Sequence, residues 1–210
     1  MEFVSESARN PFGMRPPCER YVPGYGDASA DFHVIGDHPG VHGGRDSEIP
    51  FADEPWSAAF FDALERGGLL AVTDDELLTH HTFLSYLHMC DPGETVPDAG
   101  AYGRMEPYFD AELRAITAHI LLPVGARATE HVLATYTSKA VPDPLDMADL
   151  HGQELRGAGW LVVPIADPAE WDGDDADVLA ERLAAILETD YRQLSDLGRF
   201  IAGDEPYFVR

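Results

Sequence analysis

Apolar residues fall in short, sharply bounded runs along the chain. Phe32-His33-Val34-Ile35-Gly36 is a compact run followed closely by Pro39, and it predicts a first buried strand. Thr82-Phe83-Leu84-Ser85-Tyr86-Leu87-His88 is rich in β-branched and aromatic residues and predicts a second. Ile120–Gly125 and Trp160–Ile165 predict a third and a fourth. Between these runs the pattern turns helical. Pro55-Trp56-Ser57 opens a helix through Arg66, because proline suits a first helical turn, and Gly67-Gly68 ends it. Asp74-Asp75-Glu76 predicts the start of a short helix. The Gly/Pro-rich stretch from Asp91 to Gly103 reads as a loop, followed by a helix from about Pro107 to Thr117. Ala126–Tyr136, Asp177–Glu188 and Tyr191–Ile201 complete the expected helices.

Strands alternating with helices predict an α/β fold, with a parallel sheet covered on both faces. The length of 210 residues suits one domain with a sizeable core. Residues 1–29 are rich in Pro, Gly and Arg and predict an irregular lead-in packed on a single domain running over 30–210.

Charge alters the picture. The chain has 38 acidic and 14 basic residues, a net charge of −24, and Lys139 as its one lysine. Scattered acids with so little lysine suggest a protein adapted to molar salt, where a Debye length of about 3 Å screens self-repulsion. A basic partner is the rival explanation. Either way, DNA is not expected to be held by bulk electrostatics, only by local arginines, backbone N–H groups and helix N-termini. Cys18 and Cys90 are too few for a disulfide framework. The first residues lack a signal-peptide pattern, and no apolar run reaches membrane-spanning length. The expectation is a cytoplasmic monomer, not membrane-bound, with no cofactor and no metal.

In parallel α/β sheets, ligands bind beyond the carboxyl ends of the strands. The loop after the first strand, Gly36-Asp37-His38-Pro39-Gly40-Val41-His42-Gly43-Gly44, holds a carboxylate, two imidazoles and four glycines. Asp37 or a histidine there has the chemistry to orient or deprotonate a water. The same residues also read as a polar turn, or as a metal site of Asp37, His38 and His42. The acidic run Asp172–Asp177 reads as a solvated loop; it lacks EF-hand spacing. His80, His81, His119 and His131 read as surface or packing residues. Arg127, just after Gly125 at a helix start, is a candidate phosphate contact, and Arg15 and Arg20 are weaker ones.

Val22-Pro23-Gly24-Tyr25-Gly26, followed by Ala30–Gly40, resembles the segment that opens the iron–sulfur branch of the uracil-DNA glycosylase superfamily, a V-x-G-x-G turn and then a strand ending in G-E-x-P-G. Ile49-Pro50-Phe51 falls where that branch has G-R-P-F. Phe83–Cys90 is similar to its T-N-x-V-K-C strand, Glu106–Phe109 to its P-Y-L element, Pro123–Ala128 to the strand and glycine turn that follow, and Val163–Pro168 to its H-P region. The order and spacing extend over roughly residues 18–171. The resemblance implies a three-layer α/β/α sandwich around a four-stranded parallel sheet. It also implies a DNA glycosylase of base-excision repair, which flips a uracil or another damaged base from DNA and hydrolyses its N-glycosidic bond. Carried over by position, Asp37 and His38 place the water, and Phe51 stacks on the base. Gly36, Pro39, Gly40, Tyr86 and Asp167 line the base, while Arg127 and Trp171 contact single- or double-stranded DNA.

Three departures stand beside the match. Tyr86 occupies the place of the uracil-reading asparagine. Asp167 occupies that of the histidine that stabilises the leaving base, and a carboxylate has the wrong sign there unless protonated. Cys90 matches one cluster cysteine, Met105 stands in another's place and Cys18 is out of register, so a four-cysteine cluster cannot be built. These departures leave three expectations open: a glycosylase of altered specificity, a catalytically inactive glycosylase fold that binds nucleotide or nucleic acid, or an unrelated salt-adapted α/β enzyme.

Overall fold

The structure is a computed structural model that describes residues 9–73, 76–137 and 139–191. Its centre is a six-stranded sheet of order β1-β5-β2-β6-β8-β7. Four parallel strands form the middle: β2 (Phe32–Gly36), β5 (Thr82–Tyr86), β6 (Ile120–Pro123) and β8 (Trp160–Val162). In the order second, first, third, fourth, these are the four expected strands. The edges were not expected. β1 (Tyr25–Gly26) pairs antiparallel with β5, and β7 (Leu155–Gly157) pairs antiparallel with β8. The lead-in is therefore not wholly irregular: two of its residues cap the sheet edge, closing a row of otherwise unpaired backbone groups.

β2 is buried along its whole length, so a period-two pattern feeds two cores rather than one. Phe32 and Val34 join Leu84, Ile120 and Leu122 under helices α2 (Ser57–Arg66) and α5 (Asp175–Leu187), which contribute Phe60, Leu64, Leu179 and Leu183. Ile35 and Leu121 pack on the other face against Phe109 and Leu113 of α3 (Ala99–Ile116) and Val132 and Leu133 of α4 (Gly125–Tyr136). The result is helices on both faces of a central sheet.

Two elements differ from expectation. Helix α3 starts eight residues before Pro107, because the Asp98 side chain caps it by accepting the Ala101 N–H at 2.8 Å. Pro107 sits inside it. Leu77–Thr79 is strand β4, paired with β3 (Leu70–Val72), where the sequence suggested a short helix; Asp74 and Asp75 themselves lie outside the described residues. The expected helix Tyr191–Ile201 also lies outside them beyond Tyr191. Cys18 and Cys90 form a disulfide that ties the lead-in to the segment after β5, within a small cluster of Met14, Met89, Met105, Tyr21 and Tyr108. Among the described residues no helix is long and apolar enough to cross a membrane.

Candidate active site

Gly36 ends β2 at the carboxyl edge of the sheet, and the next six residues divide their contacts between the two faces. Asp37 is the divide. Its N–H donates to Nδ1 of His42 at 2.9 Å, and its carbonyl accepts the His88 N–H at 3.0 Å. Its carboxylate turns to the opposite side. One oxygen accepts the Tyr102 hydroxyl, and the other lies 3.5 Å from Nε of Arg127, whose guanidinium stacks over the Tyr102 ring at 4.7 Å. Burial first, and the bond to Asp37 second, push the Tyr102 phenol upward, which keeps it a donor.

His38 is buried and closes the turn. Its Nδ1 accepts the Gly40 N–H at 3.0 Å, capping the short helix α1 (Pro39–His42) that Pro39 begins. A Cβ on Gly40 would meet the His38 ring at 2.8 Å, so this approach needs glycine. Burial lowers the His38 pKa, outweighing the pull of Asp37.

On the other side, His42 organises an aromatic cluster. Its ring lies 5.6 Å from Phe51, 6.4 Å from Tyr86 and 6.3 Å from Trp56. Because Nδ1 accepts from Asp37, the neutral ring carries its proton on Nε2. Among the described residues that buried Nε2 has no hydrogen-bond partner, and it faces Oδ2 of Asp167 at 3.8 Å. The separation is too long for a hydrogen bond, so the attraction is electrostatic. Burial pushes Asp167 up, but the His42 ring and the Ala169 N–H outweigh it and leave the carboxyl below its ordinary value. Asp167 is thus held as a carboxylate, not as the protonated donor that a departing base anion would need.

Tyr86 fills the centre of this cluster. It is fully buried, and its hydroxyl accepts the Phe51 N–H at 2.7 Å while donating to the His42 carbonyl at 2.7 Å. Its ring packs directly on Gly36, where a Cβ would meet it at 2.6 Å. Phe51 is also fully buried, with Tyr86 at 5.3 Å and Phe60 at 5.1 Å from its ring. Its backbone lies in the left-handed region at φ 68°, a conformation costing of order 1–3 kcal/mol. The bonds from its N–H to Tyr86 and from Ser57 Oγ to its carbonyl at 2.5 Å hold it there. No face of Phe51 is open for a stacked base.

The structure therefore gathers Gly36, Phe51, Tyr86 and Asp167 around His42, and joins Arg127 to Asp37 beside His38, Pro39 and Gly40. Arg127 is half exposed but already engaged with Asp37 and Tyr102. Trp171 stands apart: its indole N–H donates to the Ala166 carbonyl at 2.9 Å and its ring lies 5.8 Å from both Phe60 and His151. It is a packing residue in this conformation, not a projecting wedge. Asp37, His38 and His42 are not arranged as a metal site; among the described residues no group of three His, Cys, Asp or Glu is. Sequence reasoning missed Tyr102 and His88, and met His42 only as a loop imidazole able to act on a water, sit in a polar turn or join a metal site. The Asp98 cap was the available signal for Tyr102, since it starts the helix early enough to place that ring beside Asp37.

The model of the uracil DNA glycosylase superfamily matches residues 23–174, most of the described chain. The chain belongs to the uracil DNA glycosylase superfamily. It is also similar to a type-5 uracil-DNA glycosylase of Thermus thermophilus, 25% identical over 130 residues. That similarity covers 60% of this chain and 59% of the relative, so it spans less than two thirds of the relative's length. An iron–sulfur cluster does not fit this chain, whose two cysteines are bonded to each other.

Proposed function

We propose that this protein is a DNA glycosylase-like protein that recognises nucleobases but does not excise uracil through the superfamily's base pocket. One observation carries the reading: the buried Tyr86 ring lies between Gly36 and Phe51, and its hydroxyl bridges Phe51 and His42. A uracil stacked on Phe51 would have to displace that ring and break both bonds, each worth roughly 0.5–1.5 kcal/mol, before gaining any contact of its own. Asp167 adds a second obstacle. A carboxylate held in that form opposes the negative charge that develops on a leaving uracil.

DNA is the proposed macromolecular partner, reached through local contacts and not through the overall field of a −24 protein. The test is incubation of the protein with uracil-containing oligonucleotides, single- and double-stranded, at low salt and in molar KCl. No abasic product is expected. Abasic sites formed in proportion to enzyme and time would overturn the reading.

A second reading has its own support. Asp37 keeps a carboxylate at the family position and holds it with two oriented partners, Tyr102 and Arg127. That arrangement favours retained hydrolysis of a different base. Hypoxanthine and thymine-mismatch substrates in the same assay decide it: product on either, abolished by Asp37→Asn, supports the enzyme, and no product supports the binding protein.

A further inference from the structure

The lead-in, the segment after β5 and α3 meet in a cluster of sulfur. Cys18 and Cys90 are bonded to each other, and Sδ of Met105 lies 3.5 Å from Sγ of Cys90. Met14 and Met89 pack in the same cluster. Five of the seven sulfur-bearing residues of the chain, two Cys and five Met in all, are gathered here. Simple apolar packing needs no such concentration, because Leu fills the volume of Met at little cost. Backbone pairing holds the segments together independently of the disulfide. The Val22 N–H donates to the Met89 carbonyl at 2.8 Å, the Asp91 N–H donates to the Arg20 carbonyl at 3.0 Å, and Tyr21 pairs antiparallel with Cys90.

Reduction turns this cluster into a ligand set. Two electrons and two protons, taken from a dithiol that itself closes to a disulfide, convert the Cys18–Cys90 bond into two thiols. A metal ion then displaces the thiol protons, because the thiolate is the ligand. At metal–sulfur distances of about 2.3 Å, sulfurs that share one ion lie roughly 4 Å apart. Met105 is therefore already in range of an ion held by Cys90. The Cα atoms of Cys18 and Cys90 are 6.2 Å apart, so both sulfurs reach the same ion. Cys18 is partly exposed and gives entry, while Cys90 and Met105 are buried.

The donor set decides the ion. The harder donors nearby are engaged: Nδ1 of His88 donates to the Cys90 carbonyl at 3.0 Å, and the Asp91 carboxylate lies 3.0 Å from Arg45 and 3.6 Å from Arg20. Among the described residues no group of three His, Cys, Asp or Glu is placed to hold a metal. Zinc, which takes four ligands of those kinds, is poorly served by two thiolates. Thiolates joined by a thioether favour a soft ion that accepts few ligands, and cuprous copper is that ion.

We propose that, once the disulfide is reduced, Cys18, Cys90 and Met105 together bind one cuprous ion. The inference stands apart from the reading of the aromatic cluster, and neither depends on the other. For its test, the full chain is reduced with a phosphine in the absence of oxygen, freed of reductant and titrated against the coloured cuprous complex of bicinchoninate. The reduced protein should withdraw one equivalent of copper, and the disulfide form none. X-ray absorption at the copper edge should show a shell of sulfur alone, and copper should raise the melting midpoint of the reduced protein. Met105→Leu keeps the volume and should weaken binding about tenfold or more. Re-formation of its disulfide on oxidation verifies that the variant is folded. Cys18→Ser should lose the ion. No copper withdrawn by the reduced protein, nitrogen or oxygen in the metal shell, or equal affinity in Met105→Leu would overturn the proposal.

Discussion

Tyr86 and Phe51 are locked together through both backbone and ring: the Tyr86 hydroxyl accepts the Phe51 N–H at 2.7 Å, and their rings pack 5.3 Å apart. Removing the hydroxyl tests the polar half of this relationship. Tyr86→Phe leaves a buried N–H without a partner, in a residue already held at positive φ. The expected loss is about 1–3 kcal/mol of unfolding free energy in a denaturant titration. A change within 0.5 kcal/mol would mean that another group satisfies Phe51.

The Gly36 contact sets a second expectation. A Cβ there meets the Tyr86 ring at 2.6 Å and Nδ1 of His42 at 2.9 Å, both buried and neither the free end of a flexible chain. Gly36→Ala should cost about 1–3 kcal/mol through overpacking. Thermal melts read it directly, and an unshifted transition would show that the cluster has slack.

Two buried titratable groups on the α3 face give the protein a shaped pH profile. Burial alone drives His33 down to about 3 and Glu112 up to about 8. His33 bonds Ser85 Oγ through Nε2 at 2.7 Å, while both Glu112 oxygens are buried without a hydrogen-bond partner among the described residues. Relative to unfolded values of 6.5 and 4.5, the native state lacks a proton on His33 from about pH 3 to 6.5 and keeps one on Glu112 from about pH 4.5 to 8. Their combined contribution to stability therefore rises with pH up to about 4.5, is level to about 6.5 where the two slopes cancel, and falls to about pH 8. Glu112→Gln should remove the fall and turn the plateau into a rise. Denaturant midpoints measured from pH 4 to 9 show this, and an unchanged alkaline limb would refute the assignment.

The disulfide closes a loop with a sequence separation of 72 residues, between the lead-in and the segment after β5. Loop-closure entropy predicts a loss of about 4 kcal/mol on reduction or in Cys90→Ala. Melting with and without a dithiol reductant measures it. Equal midpoints for protein verified as oxidised and as reduced would count against a stabilising link.

Much of the fold was legible in the sequence because its central strands are buried on both faces. Runs such as Phe32–Gly36 and Ile120–Pro123 then stand out without alternation. The edge strands β1 and β7 were not legible: each is two or three residues long, and pairing alone defines it. Helix α3 was read as too short, since Gly103 and Pro107 outweighed the Asp98 cap. At the site, Gly36, Phe51, Tyr86 and Asp167 lie together around His42, and how they touch was not foreseen. Sequence placed Tyr86 as a reader of the base edge. The structure gives its hydroxyl to the backbone of Phe51 and His42. Nor did sequence reveal that the Asp37 carboxylate turns toward Tyr102 and Arg127, because that depends on which face of α3 looks at the end of β2.

The most direct measurement of the central claim is calorimetric titration of free uracil into the wild type and into Tyr86→Ala, with folding of the variant verified by its melt. Wild type should give no saturable heat, and Tyr86→Ala, with the ring removed from above Gly36, should bind uracil. Saturable uracil binding by the wild type, unchanged in Tyr86→Ala, would contradict the account.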